Sequence, residues 1–125
     1  MILEINRKQI EPDFAVLEMK GRITLGRESQ RIETIVRELL AENVRRLVFD
    51  MSGVEYADSS GLGILTFCFA TVKKSGGALR LANPGARVKD LLHFTLLDKI
   101  FSIYPSLEEA CRDFPPPEKA ETVGS

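Results

Sequence analysis

The residues whose types could carry chemistry are concentrated in one segment, Tyr56-Ala57-Asp58-Ser59-Ser60-Gly61-Leu62-Gly63. It holds a carboxylate, two hydroxyls and two glycines, and it follows a short apolar run that ends at Asp50-Met51. Helical spacing of apolar residues begins near Ser59 or Ser60, so this segment is predicted to be a loop that enters a helix. Loops at the carboxyl ends of strands are where α/β proteins bind ligands. We therefore expect the functional site here.

The same residues also fit a purely structural role. A helix N-terminus prefers Ser, Thr, Asp or Asn as its cap, and Asp58, Ser59 or Ser60 could each be that residue. One cap is enough, so two of the three side chains exceed the structural need. Gly61 and Gly63 add to the excess, because glycine within a helix costs about 0.5–1 kcal/mol relative to alanine. Both a plain capped helix and a site of serine phosphorylation remain open.

A phosphoserine at this helix N-terminus would carry about −1.5 to −2 charges near neutral pH. It would meet free N–H groups and the positive end of the helix dipole, an interaction of about 0.3–2 kcal/mol that partly offsets repulsion from Asp58. Trapping the unpaired dianion in an interface would cost several kcal/mol, and about 4 kcal/mol is a thousandfold in affinity. Phosphorylation is thus predicted to act on binding and to leave the fold intact.

Several catalytic signatures do not fit the sequence. The Ser-Gly-Leu-Gly run lacks the Gly-Lys-Ser/Thr ending of a P-loop, and no Gly-x-Ser-x-Gly nucleophile elbow is present. His93 alone cannot build a metal site or a triad, and Cys68 and Cys111 fit no metal or redox spacing. Asp50 and Asp58 alone are weak evidence for a metal. We expect neither an enzyme nor a bound metal or cofactor.

Length and composition set further bounds. The 125 residues fit one domain, with 44% hydrophobic and 28% charged residues. Seventeen basic and eighteen acidic side chains leave a formal charge of −1, which argues against a nucleic-acid partner. No apolar run approaches the roughly 18–20 residues of a membrane helix, and the N-terminus lacks the features of a signal peptide. A cytoplasmic protein with no membrane or nucleic-acid partner is expected; the oligomeric state stays open.

The elements that must position this segment alternate along the chain. Apolar periodicity and turn residues predict strands at 2–9, 13–20, 46–51, 78–82 and 101–104, and helices at 27–42, about 60–75, 86–94 and 107–113. Gly21 is expected to end the second strand, and Ser52-Gly53 the third. The order β-β-α-β-α-β-α-β-α indicates an α/β domain with a mixed sheet of four to five strands and about four helices. Its expected bounds are 1–113, with a Pro-rich, disordered tail at 114–125.

The helix after the glycines has apolar residues on two sides. One stripe is expected to face the sheet: Leu62, Leu65, Phe69 and Val72. The other lies on roughly the opposite side: Ile64, Phe67, Cys68 and Thr71. A surface helix normally shows a single apolar stripe. Either another helix of the domain covers the second side, or that side is an exposed docking surface.

This arrangement resembles the STAS family, the sulfate-transporter and anti-sigma-factor-antagonist domains, and is most similar to its stand-alone bacterial anti-sigma factor antagonists. The resemblance rests on Asp58-Ser59-Ser60-Gly61-Leu62-Gly63 and covers about residues 1–113. Further matching segments are Leu47-Val48-Phe49-Asp50, Lys73-Lys74-Ser75-Gly76-Gly77, Leu79-Arg80-Leu81, Val88-Lys89-Asp90-Leu91-Leu92 and Leu96-Leu97-Asp98-Lys99-Ile100-Phe101.

The resemblance implies a partner switch. In the family, an anti-sigma factor with a histidine-kinase-like ATPase fold holds a sigma factor inactive, and the unphosphorylated STAS protein binds that kinase and releases the sigma factor. The kinase then phosphorylates the first serine of the motif, which corresponds to Ser59, and a separate serine phosphatase resets the switch. The residues expected to bind the partner are Arg22, Thr24, Asp58, Ser60, Gly61, Leu62, Ile64, Phe67 and Cys68. The alternative is a non-switching structural STAS subunit of a stressosome-like or transporter-associated assembly.

One segment departs from the family pattern. Related antagonists usually carry Gly-Glu-(Leu/Ile)-Asp after the second strand, whereas this chain has Gly21-Arg22-Ile23-Thr24. In the family this loop lies near the phosphorylated serine. Replacing two acids by Arg22 and Thr24 is expected to change partner choice, and it offers Arg22 as a contact for a phosphate.

Overall fold

The computed structural model describes residues 3–115 and has the predicted order of elements. The strands are β1 (Glu4–Glu11), β2 (Phe14–Ile23), β3 (Arg46–Ala57), β4 (Ala78–Ala82) and β5 (Ser102–Tyr104). The helices are α1 (Arg27–Ala41), α2 (Ser59–Lys74), α3 (Ala86–Phe94) and α4 (Leu107–Cys111), with one 3-10 turn at Leu97–Lys99. None of the helices within residues 3–115 is long and apolar enough to cross a bilayer.

The five strands form one mixed sheet in the order β1-β2-β3-β4-β5, which confirms the expected fold class. A turn at Pro12-Asp13 makes β1 and β2 antiparallel, whereas β2, β3, β4 and β5 all run parallel. Parallel strands end at the same edge of a sheet. The carboxyl ends of β2 and β3 lie side by side there, because Ile23 pairs with Ala57 immediately before α2 begins.

Both faces of the central strands are covered, which explains their nearly continuous apolar sequence. The larger core packs one face against α1, α2 and α3, and it includes Leu17, Phe49 and Leu65, each wholly buried. A smaller cluster on the opposite face includes Val16 and Val48 and lies under α4.

Two strands continue past the glycines that were expected to end them. β2 runs through Gly21 to Ile23, and β3 runs through Ser52-Gly53 to Ala57. The register between these strands shifts at Gly21, where φ is 111°, so this glycine serves a bulge. At Gly53 a Cβ atom would lie 2.9 Å from the Met19 carbonyl oxygen, so this glycine permits close approach of two paired strands. Together the extensions carry the sheet up to the start of α2.

Phe114 packs onto the domain, one residue beyond the predicted boundary at 113. Its ring lies 5.4 Å from that of Phe14, and the guanidinium of Arg80 lies 4.0 Å above it. Arg46 donates a hydrogen bond of 2.6 Å to the Phe114 carbonyl oxygen. The expectation of disorder from Pro116 onward concerns residues outside those the structure describes.

Candidate functional site

Asp58 is the residue that caps α2. It alone separates β3 from α2, and its Oδ1 atom accepts a hydrogen bond of 2.8 Å from the Gly61 backbone N–H. Its carbonyl oxygen accepts the first helical bond, 2.9 Å from the Leu62 nitrogen. The cap satisfies a backbone donor that the first turn of a helix otherwise leaves free. Of the three capping candidates, the structure therefore uses the carboxylate and leaves both hydroxyls unneeded for this role.

Ser59 presents a free hydroxyl to solvent. Ser59 is exposed and Ser60 is half-buried, and neither side chain hydrogen-bonds to another group within residues 3–115. Nothing in that range therefore competes for the Ser59 oxygen. The neighbouring Asp58 carboxylate is engaged by the Gly61 amide. This geometry offers an accessible acceptor hydroxyl, and its activation has to come from another molecule.

The two glycines of the motif have different roles. A Cβ atom on Gly61 would lie 1.9 Å from the carbonyl oxygen of Ile23, whereas one on Gly63 would meet nothing within 4 Å. The same Ile23 oxygen accepts a hydrogen bond of 3.3 Å from the Asp58 nitrogen. The first turn of α2 therefore rests directly on the end of β2, and Gly61 is required for that contact.

A concavity of about 620 Å³ lies between the N-terminus of α2 and α3. Ser59 forms part of its wall, and Phe94, whose residue surface is 82% exposed, forms part of the facing helix. The lining residues are Tyr56, Ala57, Asp58, Ser59, Leu62, Arg87, Asp90, Leu91, Phe94 and Thr95. The contribution of α3 was not predicted from the sequence. One sequence pattern could have indicated it. The α3 segment has apolar residues, Leu91, Leu92 and Phe94, on more sides than the sheet can cover.

Arg22 and Thr24 lie at the same sheet edge, outside the lining of this concavity. Arg22 pairs with Tyr56 across β2 and β3, and its guanidinium lies 5.0 Å from the Tyr56 ring centroid, a cation–π arrangement. The Thr24 N–H donates a hydrogen bond of 3.1 Å to Ser29 Oγ, which fixes the start of the loop into α1. Both residues therefore flank the Ser59 segment on its β2 side.

The expected docking face of α2 needs one correction. Cys68 is wholly buried, and burial, with a smaller contribution from Glu33, raises the pKa of its thiol to about 12. It cannot touch a partner in this fold, because α1 packs against that side of α2. Phe69, expected to face the sheet, is instead half-buried with its ring 5.2 Å from that of Phe101.

The second apolar side of α2 is therefore partly covered by another helix and partly exposed. Its Cys68 flank is covered by the neighbouring helix, whereas Phe67 is 40% exposed beside the Arg37 guanidinium. Ile64 is half-buried on the same helix. Of the other predicted partner-binding residues, Gly61 is buried and Leu62 retains 5% exposure in the wall of the concavity.

Comparison with known proteins establishes the family. The STAS domain model matches residues 6–110, so the chain belongs to the STAS domain family, and the resemblance is confirmed. The anti-sigma-B factor antagonist of Bacillus subtilis is 35% identical over 103 residues, covering 82% of this chain and 92% of that protein. The crystal structure of an anti-sigma factor antagonist from Mycobacterium paratuberculosis has a TM-score of 0.75 at 25% identity, over 90% of this chain and 93% of that one.

Bacillus SpoIIAA in its phosphorylated form shares the fold. The TM-score is 0.68 at 16% identity, covering 86% of this chain and 96% of that one.

The capping bond makes a first prediction. Replacing Asp58 by alanine removes the acceptor for the Gly61 N–H, so the free energy of unfolding should fall by about 0.5–2 kcal/mol in urea denaturation. Asp58→Asn keeps a side-chain oxygen at this position and should retain most of the stability. Equal stability of the alanine variant and the parent protein would contradict the capping role.

Proposed function

We propose that this protein is an anti-sigma factor antagonist whose binding to an anti-sigma factor is controlled by phosphorylation of Ser59. The observation that carries the proposal is the exposed Ser59 hydroxyl, which is free of hydrogen bonds within the described chain while Asp58 caps the helix. The relatives named as antagonists support the partner class. The phosphorylated form of SpoIIAA supports the modification, because it shows that this fold tolerates a phosphate.

The unphosphorylated protein binds an anti-sigma factor of histidine-kinase-like ATPase fold and thereby releases a sigma factor. The concavity beside Ser59 gives the partner a recess with apolar walls, including Leu91 and Phe94. The adjoining contacts include Arg22, Thr24, Asp58, Ser60, Leu62, Ile64 and Phe67. Gly61 contributes by letting α2 lie against β2, and Cys68 takes no direct part because it is buried.

The bound kinase phosphorylates Ser59. An Oγ–P bond forms as the bond between the β- and γ-phosphates of ATP breaks, ADP leaves, and the hydroxyl proton is lost to a base of the kinase. This protein supplies the acceptor and does not act as an enzyme. His93, its single histidine, does not line the concavity, and its Nδ1 atom lies 2.9 Å from Asp98 Oδ2. A separate serine phosphatase hydrolyses the phosphoserine and resets the switch.

Phosphorylation dissociates the complex because the phosphate would be buried at the interface with the partner. An unpaired dianion there costs several kcal/mol, whereas in the free protein it stays hydrated at a helix N-terminus that favours negative charge. Arg22 and Thr24 replace the acids usual in the family, so we expect them to select a particular kinase. They leave the acceptor serine unchanged.

Mapping the phosphate in the source cell tests the proposal. Mass spectrometry of the recovered protein should place the phosphate on Ser59. A Ser59→Ala protein expressed in the same cells should carry no phosphate on the motif, although Ser60 remains available as an acceptor. Phosphate on Ser60 in the parent protein, or a motif that carries no phosphate under any growth condition, would contradict the proposed switch.

A further inference from the structure

We propose that Arg87, in the first turn of α3, holds the phosphate of phosphorylated Ser59 within the same chain. The inference rests on the proposed phosphorylation of Ser59, and it assigns Arg87 a role that the sequence motif does not indicate. Its basis is the concavity that both residues line, with Ser59 contributed by α2 and Arg87 by α3.

The guanidinium of Arg87 is available for such a contact. Arg87 is exposed, and none of the ion pairs found among residues 3–115 includes it. The other charged side chains that line the concavity are Asp58 and Asp90, of which Asp58 accepts a hydrogen bond from the Gly61 amide. Arg87 is therefore the one basic side chain in this lining.

The charge balance of the concavity favours a contact between the phosphate and Arg87. With two carboxylates and one guanidinium, the lining carries a formal charge of −1 before phosphorylation. A phosphate adds a further −1.5 to −2, so an unpaired phosphoserine would face two acids. Guanidinium binds phosphate through paired, charge-assisted hydrogen bonds, and Arg87 can offset this repulsion inside the same recess.

Arg22, the arginine suggested by the family comparison, is less well placed. Its guanidinium lies over the Tyr56 ring at 5.0 Å, and Arg22 is not among the residues that line the concavity. A phosphate directed toward Arg87 would also enter the recess in which the partner is proposed to dock. Phosphorylation would then block the recess as well as add charge to its rim.

Phosphorus NMR on the full chain tests this assignment. Phosphoserine is incorporated at position 59 during synthesis, and the second ionisation of the phosphate is followed by pH titration in four proteins: the parent, Arg87→Gln, Arg22→Gln and Arg31→Gln. Arg31 is exposed on α1 and does not line the concavity, so its variant is the control for a lost surface charge. We expect the parent midpoint to lie below the ordinary value of about 6. Arg87→Gln should raise it by about half a unit to one unit.

Each remaining outcome overturns the assignment. If Arg22→Gln raises the midpoint and Arg87→Gln does not, Arg22 holds the phosphate. If all four midpoints agree, the phosphate stays in solvent. Thermal melts of the four proteins verify that each is folded, which is expected because Arg87 is exposed and lacks an ion pair within the described chain. Since the phosphoserine is supplied without a kinase, the assay remains readable even if Ser59 is never phosphorylated in the cell.

Discussion

Ser59→Asp is expected to weaken binding to the anti-sigma factor by about a hundredfold, and full phosphorylation by about a thousandfold. The reason is the cost of burying the added charge against the partner, which is larger for a phosphate than for the single charge of aspartate. Ser59→Ala should bind as tightly as the unphosphorylated parent, and ATP should fail to release it. Titration calorimetry with the purified partner, with and without ATP, measures each of these effects.

Ser59→Asp should leave the melting temperature within about one degree of the parent value. The Ser59 side chain is exposed and makes no hydrogen bond to another group in residues 3–115, and a negative charge at the first turn of a helix is favourable. Ser102→Asp adds the same charge at an exposed position of β5 and should leave the affinity unchanged. Equal affinities of Ser59→Ala and Ser59→Asp would contradict the switch. A large drop in the melting temperature of Ser59→Asp would instead show that the charge disturbs the fold.

Gly61→Ala is expected to lower the free energy of unfolding by about 3 kcal/mol or more, or to displace the start of α2. The added Cβ atom would lie 1.9 Å from the Ile23 carbonyl oxygen, and that atom belongs to the backbone of a paired strand, so it cannot rotate away. This contact sets the position of the first turn of α2 relative to β2. We therefore expect Gly61→Ala to weaken partner binding as well as to lower stability.

Gly63→Ala is the matched control for this prediction. A Cβ atom there meets nothing within 4 Å, so the variant should be about 0.5–1 kcal/mol more stable than the parent through the helix propensity of alanine. Urea denaturation of both variants at one temperature gives the comparison. If the two substitutions change stability by the same amount and in the same direction, the close contact of α2 with β2 is refuted.

The sequence predicted the order of the elements, the mixed sheet and the position of the Ser59 segment at the strand ends. It could do so because strands, helices and turns leave local patterns. It failed at Gly21 and at Gly53, because a glycine that serves a bulge or a close strand contact looks the same in sequence as one that ends a strand. The packing of Phe114 was not predicted for a related reason. The arginines that contact its ring and its carbonyl oxygen, Arg80 and Arg46, are far from it in the sequence.

Site residues contributed by distant parts of the chain were the hardest to predict. The concavity exists because α3 packs beside the start of α2, and no local pattern near Ser59 indicates Arg87 or Phe94. Periodicity gave two apolar sides for α2 but could not tell which flank α1 covers, so Cys68 was predicted to bind the partner although it is buried. Packing between helices decides both points.

Affinity capture from the source cell's lysate, with Ser59→Ala and Ser59→Asp proteins as paired baits, tests the central claim most directly. We expect mass spectrometry to find a histidine-kinase-like ATPase on the alanine bait and not on the aspartate bait. If both baits retain the same large partners in equal amounts, Ser59 does not control binding. The protein would then be a non-switching STAS subunit of a larger assembly.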